Sequence, residues 1–114
     1  PERPKRLLEV SKYMRDALKA YGLPLGFDSI TPIIPIYTYS KLRTLIAVKQ
    51  LYERGLYVNP VLPPATPEGE CLIRTSYMST HTEEILDKAA KMIYDVLSVL
   101  PMEDEELLEL IKHE

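Results

Sequence analysis

The 114-residue chain predicts an α+β fold: a small, mostly antiparallel three-stranded sheet covered by helices on one face. Three observations predict it. Four stretches carry apolar residues at helical spacing, at both ends and in the middle of the chain. Three short stretches rich in β-branched and aromatic residues lie between them. The last two are separated by a loop of hairpin-compatible length, which favours antiparallel pairing over a parallel crossover.

The first helix is predicted over about residues 3–21, where Leu7, Val10, Met14, Ala17, Leu18 and Tyr21 recur on one face and Gly22 supplies a stop. Residues 23–28 form a loop punctuated by proline and glycine. The run over 32–37 has strand length, and Pro32 and Pro35 argue for an edge position. Ser40 is the predicted cap of a second helix, 41–54, with Leu42, Leu45, Val48 and either Leu51 or Tyr52 inward, ended by Gly55. A very short strand is expected at Leu56-Tyr57-Val58. Residues 59–69 are then a stiff loop holding four of the ten prolines, Pro60, Pro63, Pro64 and Pro67. The third strand begins at Cys71. Thr82 or Thr80 caps a third helix, with Glu83 and Glu84 at its positive end and Ile85, Leu86, Ala89, Ala90, Ile93, Val96 and Leu97 on its inner face. Pro101 interrupts it, and residues 103–112 form an acidic last helix with Leu107, Leu108 and Ile111 on one side.

The chain is 46% hydrophobic and 27% charged, ordinary for one soluble domain. Net charge is −3 with no basic patch, which argues against nucleic acid. No apolar run approaches the length of a membrane span, and no signal-peptide pattern opens the chain. The single cysteine, Cys71, permits no internal disulfide, and no Cys/His cluster suggests a metal, so a reducing cytoplasm is expected. A start at Pro1, directly into a charged helix, suggests a fragment of a longer protein.

Arg74 is the residue most in need of an explanation. It lies inside the third strand, and alternation puts Leu72, Arg74 and Ser76 on one face with Cys71, Ile73, Thr75 and Tyr77 on the other. If helices cover the Ile73 face, Arg74 points away from the core. A guanidinium keeps its charge, so it needs an anionic or polar partner. Two readings are open: a structural pair with one of the 17 acidic residues, or a fork that grips a ligand carboxylate with two parallel hydrogen bonds. The other chemistry-bearing residues offer less. His81 before a helix start more often packs beside a turn than acts in catalysis. His113 lies in the tail, Cys71 opens a strand, and neither histidine has a nucleophile arranged beside it. The Glu103–Glu106 run reads as a solvated helix start, and the four glycines form no phosphate loop.

Several segments together resemble the C-terminal domain of the α-oxoamine synthases, pyridoxal-phosphate enzymes of fold type I related to class I/II aminotransferases. They are Thr31-Pro32-Ile33-Ile34-Pro35-Ile36, Gly55-Leu56-Tyr57-Val58-Asn59-Pro60, Pro63-Pro64-Ala65-Thr66-Pro67, Ile73-Arg74-Thr75-Ser76 and His81-Thr82. The resemblance runs in order from about residue 26 to 97. It implies that residues 1–114 are a single C-terminal domain of a longer enzyme, with a core over 1–100 and an acidic helical tail over 101–114. It implies that Arg74 binds the α-carboxylate of the amino-acid substrate, and that Pro64, Ala65, Thr66 and Pro67 form a loop at the substrate entrance. The implied reaction is condensation of an amino acid, serine favoured, with an acyl-CoA or acyl-carrier-protein thioester and loss of carbon dioxide, as in serine palmitoyltransferase. The alternatives are 8-amino-7-oxononanoate synthase (alanine with a pimeloyl thioester) and 2-amino-3-ketobutyrate CoA ligase. From another class, a stand-alone amino-acid-binding regulatory module competes. The implied cofactor is pyridoxal phosphate, held by a separate large domain that also carries the Schiff-base lysine, so the fragment itself is expected to bind no cofactor and to be inactive. A homodimer is implied for the whole enzyme. Two departures stand out. Tyr39-Ser40-Lys41 is a poor match to the cofactor-lysine motif, because no run of small residues follows it, and Ser79 and Thr80 occupy positions where the family more often has alanine.

Overall fold

The computed structural model describes residues 2–26, 33–77 and 81–112, with side chains from Lys5 onward. Its elements run α1 (Glu2–Ala20), β1 (Ile33–Tyr39), α2 (Lys41–Glu53), β2 (Asn59–Val61), β3 (Cys71–Ser76), α3 (Glu83–Val99) and α4 (Asp104–Lys112). The order and types follow the sequence expectation, and so does the antiparallel three-stranded sheet. Its strand order is β1-β3-β2, so the Arg74 strand is central. Pro32, Ser79, Thr80 and His113, which entered the sequence reading, lie outside the described residues.

The helices cover one face. Val10, Met14 and Leu18 of α1, Ala47 and Leu51 of α2, and Leu86, Ile93 and Val96 of α3 close over Ile34, Ile36 and Ile73 of the sheet, all buried. Burial of this apolar surface is the main favourable term in folding. Helix α4 returns onto α2 and adds Leu107 to the same core. Helices α1 and α2 stop alike. At Gly22 (φ +79°) and Gly55 (φ +92°) the chain turns left-handed, and the next amide donates back to Leu18 O at 3.3 Å and to Leu51 O at 2.8 Å respectively. Only glycine takes that conformation without steric cost. The starts of α2 and α3 are also as expected: Ser40 Oγ accepts from Arg43 N at 2.9 Å, and Thr82 Oγ1 accepts from Ile85 N at 3.3 Å.

Three expectations need correction. The short strand is not Leu56-Tyr57-Val58 but Asn59–Val61, the first three residues of the predicted loop. Those residues reach β3, with Asn59 opposite Arg74, Pro60 opposite Ile73 and Val61 opposite Leu72, while Tyr57 is left 72% exposed. A proline fits this strand because β2 is an edge. The inner face of α2 is also different. Leu45 and Tyr52 are exposed, whereas Arg43, Thr44, Ala47 and Leu51 are buried. Arg43 is only 7% exposed, and its guanidinium donates to Leu97 O at 2.8 Å and, at 3.4 Å, to Leu100 O and Thr38 O. It thus adds a second donor to Leu97 O, which also accepts from Leu100 N at 3.3 Å, at the end of α3, where the helix dipole favours a cation. Burial lowers the Arg43 pKa, with Tyr39 pulling the other way. The apolar faces of the flanking helices are narrower than predicted: Ile85, Leu108 and Ile111 are about half exposed.

Between β1 and α2 the chain turns on Tyr39, whose φ is +69°. Ser40 N donates to Thr38 O at 2.9 Å across it, the geometry of a tight γ-turn, which is rare and strained for a residue with a Cβ. The Tyr39 ring stacks on Tyr37 at 5.7 Å between centroids.

Candidate functional site: the open face of the sheet

Arg74 lies where strand alternation predicts. Cys71, Ile73, Thr75 and Tyr77 are buried under the helices, and Arg74 and Ser76 are exposed on the opposite face. Leu72, on the Arg74 side, is nevertheless buried.

The backbone sets the neighbours of Arg74 on both sides. On β1 its partner is Pro35, and on β2 it is Asn59. Pro35 O accepts from Gly26 N at 2.7 Å, and Tyr37 N donates to Pro24 O at 2.8 Å, so the polar groups of both residues face the outer edge of β1. The missing N–H of Pro35 therefore costs no bond to β3. By the antiparallel alternation, Arg74's own N–H and C=O turn the other way, toward Asn59. Pro35 is buried and supplies an apolar wall, while Asn59 is exposed and supplies an amide.

Among the described residues, the Arg74 side chain has no hydrogen bond or ion pair. The acidic partners of the ion pairs lie elsewhere, as in Glu84 with Lys88 at 3.5 Å and Asp95 with Lys91 at 3.1 Å. The first of the two sequence readings, a structural ion pair, thus has no support among these residues. A free guanidinium on an open sheet face can grip a carboxylate by two parallel N–H···O bonds.

The proline-rich loop joins β2 to β3, so Pro64, Ala65, Thr66 and Pro67 lie at the hairpin tip. Cys71 is three residues from Arg74, which puts the loop's base on the order of 10 Å along the strand. Pro64, Ala65 and Pro67 are exposed. Turns within the loop are closed by Ala65 N to Leu62 O at 3.0 Å and Glu70 N to Pro67 O at 3.1 Å. The Thr66 hydroxyl is buried with no partner among the described residues.

The remaining candidates are structural. His81 O accepts from Arg6 Nη2 at 3.1 Å, tying α1 to the start of α3, and the His81 ring stands edge-on to Tyr77 at 6.3 Å. Cys71 is fully buried in the strand. Two cavities among the described residues lie away from Arg74. A cavity of about 290 Å³ sits where α2 meets α4, and one of about 310 Å³ is lined by Tyr21, Tyr37, Tyr39, Tyr94 and Arg43.

The resemblance implies pyridoxal phosphate, and these residues do not fit it. A Schiff-base lysine is activated by withdrawal from water. Every described lysine is exposed, Lys41 included, and the Ser40 hydroxyl beside Lys41 is already engaged as a helix cap. What the sheet offers is the exposed guanidinium of Arg74 on its central strand. Among the described residues no helix is long and apolar enough to cross a membrane.

Comparison with known proteins bears on what this face belongs to. The chain is 41% identical over 91 residues to a serine palmitoyltransferase of Bacteriovorax stolpii, covering 75% of this chain and 21% of that protein. It is 38% identical over 89 residues to an 8-amino-7-oxononanoate synthase of Thermosipho melanesiensis, covering 77% of this chain and 22% of that one. Among solved structures, the serine palmitoyltransferase of Sphingomonas wittichii superposes with a TM-score of 0.76 at 29% identity, over 85% of this chain and 25% of that chain. A serine palmitoyltransferase structure containing a pyridoxal phosphate internal aldimine superposes with a TM-score of 0.75 at 28% identity, over 83% of this chain and 25% of its own. The chain thus spans only about a fifth to a quarter of these relatives. Residues 1–93 match the model of the aminotransferase class I and II family, and with that match, its relatives and its fold in agreement, the chain belongs to that family.

Proposed function

We propose that this chain is the small C-terminal domain of a pyridoxal-phosphate-dependent acyltransferase, in which Arg74 binds the α-carboxylate of the amino-acid substrate. The observation that carries the proposal is the exposed guanidinium of the central strand, fixed by pairing on both sides and with no protein partner among the described residues. The reaction class is condensation of an amino acid with an acyl-CoA or acyl-carrier-protein thioester with loss of carbon dioxide. Serine is the favoured amino acid, supported by the relatives named serine palmitoyltransferase and by the Pro64-Ala65-Thr66-Pro67 loop. The likeness to 8-amino-7-oxononanoate synthase supports alanine with a pimeloyl thioester as the second reading. The cofactor and its lysine belong, on this proposal, to the rest of the enzyme, a cytoplasmic homodimer.

The contribution of these residues is positional. A bidentate grip fixes both the place and the plane of the carboxylate, and with them the orientation of the bonds at Cα. Because Arg74 sits mid-strand rather than on a loop, its Cα is held by hydrogen bonding instead of by loop ordering. The stiff loop at the hairpin tip loses little entropy on ordering.

The test is Arg74→Ala in the full-length protein, with binding of serine, alanine and glycine measured by calorimetry. Loss of a charged hydrogen-bonding partner is expected to weaken binding by roughly 2–3 kcal/mol. Unchanged affinity refutes the assignment. Turnover of the three amino acids against short and long acyl-CoAs then separates the two substrate readings.

A further inference from the structure

We propose that Asn59 is a second ligand-binding residue of this site, its side-chain amide donating to the same carboxylate that Arg74 grips. The inference rests on the carboxylate reading above and extends it to a residue that nothing in the sequence pattern singles out. Its basis is register. Asn59 of β2 lies directly opposite Arg74 of β3, and both are exposed. Directly opposed residues in an antiparallel pair project from the same face, with Cβ atoms about 4.5–5.5 Å apart. One oxygen pair of a carboxylate can therefore be reached from both side chains at once.

The chemistry favours an amide here. An ionised carboxylate offers about four lone-pair positions, and the guanidinium fork fills two of them. A third donor strengthens the grip most if it is neutral, because it neither repels Arg74 nor adds a charge to desolvate. The other neighbours cannot do this. Pro35, opposite Arg74 on the far side, has no donor. Ser76 is two residues along the strand, about 6.6 Å away. Among the described residues, the Asn59 side chain has no hydrogen bond. The site is thus lopsided, with an apolar wall on the β1 side and a donor on the β2 side, and it would seat the carboxylate over the β2–β3 pair.

The experiment compares full-length wild type, Arg74→Ala, Asn59→Ala, Asn59→Asp and Asn59→Gln, with folding checked by circular dichroism. The probes are serine and 2-aminoethanol, which lacks the carboxylate. Asn59→Ala is expected to weaken serine binding about fivefold to tenfold while leaving 2-aminoethanol unchanged. Asn59→Asp places a carboxylate beside Arg74, occupies the fork from within, and is expected to weaken serine at least as much as Arg74→Ala. Asn59→Gln keeps the donor and is expected to fall between Asn59→Ala and wild type. If Arg74→Ala weakens serine but Asn59→Ala and Asn59→Asp do not, Asn59 has no part in the site and the carboxylate reading stands. If the Asn59 variants weaken both probes equally, its role is structural and the inference fails. If Arg74→Ala has no effect, the carboxylate reading falls and takes this inference with it.

Discussion

Replacing Arg43 by methionine tests how the end of α3 is held. Methionine keeps an unbranched stem of similar bulk and removes the fork. The structure gives the terms. One charge-assisted bond, to Leu97 O at 2.8 Å, contributes about 1.5–3 kcal/mol. The contacts to Leu100 O and Thr38 O, both at 3.4 Å, are long and add at most about 0.5 kcal/mol each. Against this stands the desolvation of the guanidinium, the cause of its lowered pKa, which the variant no longer bears. Leu97 O keeps the bond from Leu100 N at 3.3 Å and Thr38 O keeps the bond from Ser40 N at 2.9 Å, so the variant loses the side-chain bonds without orphaning those two carbonyls. The expected net destabilisation is about 1–2 kcal/mol. Urea unfolding of the protein reads this as a fall in midpoint of roughly 1–2 M with an unchanged slope. Hydrogen exchange should quicken first at the α3 terminus and in α4, which packs beyond it. A midpoint within experimental error of wild type would refute the idea that Arg43 secures that terminus.

Other parts of the structure carry expectations of their own. Tyr77 is 6% exposed, and burial pushes its phenol pKa above the ordinary 10.0, with Thr75 pulling back against it. The unfolded chain then loses this proton first as pH rises. Stability should fall above about pH 10 by up to ~1.4 kcal/mol per pH unit from this group, and Tyr77→Phe should flatten the decline; parallel curves for the two proteins count against it. Ser40→Ala removes the cap of α2 and should cost about 1 kcal/mol by thermal or chemical unfolding, with Ser40→Gly costing only a few tenths. Ile93→Ala, at a fully buried position of α3, should cost about 2–5 kcal/mol, and a loss below 1 kcal/mol would mean that the core is not packed there as described.

Much of the fold is written locally, and those parts were legible. Helix starts at Ser40 and Thr82 and stops at Gly22 and Gly55 depend on a few neighbouring residues, and each occurs where the sequence puts it. The direction of Arg74 was legible for the same reason, since alternation along a strand is a local rule. What escaped sequence reading depends on distant partners. Leu56-Tyr57-Val58 has better strand composition than Asn59-Pro60-Val61, yet register against β3 decides the matter. On α2, polar Arg43 and Thr44 turn inward because Leu97 O of α3 and the Thr38 hydroxyl of β1 await them, while Leu45 faces water. No periodicity in a single helix reports where another helix ends. Asn59 was missed for the same reason: its position opposite Arg74 exists only once the hairpin register is known.

Strand β2 has a consequence for self-association. Asn59 and Val61 turn their backbone groups toward β3, so the outward groups of this strand are those of Pro60, which has a carbonyl but no N–H. At the opposite margin, the outward N–H of Tyr37 is taken by Pro24, and the carbonyl of Pro35 by Gly26. A sheet of three strands normally exposes two templates onto which a second molecule can add a strand. Here one margin is occupied by the chain's own Pro24–Gly26 segment, and the other offers no donor at its centre. Copies of this domain therefore have little means of polymerising edge to edge.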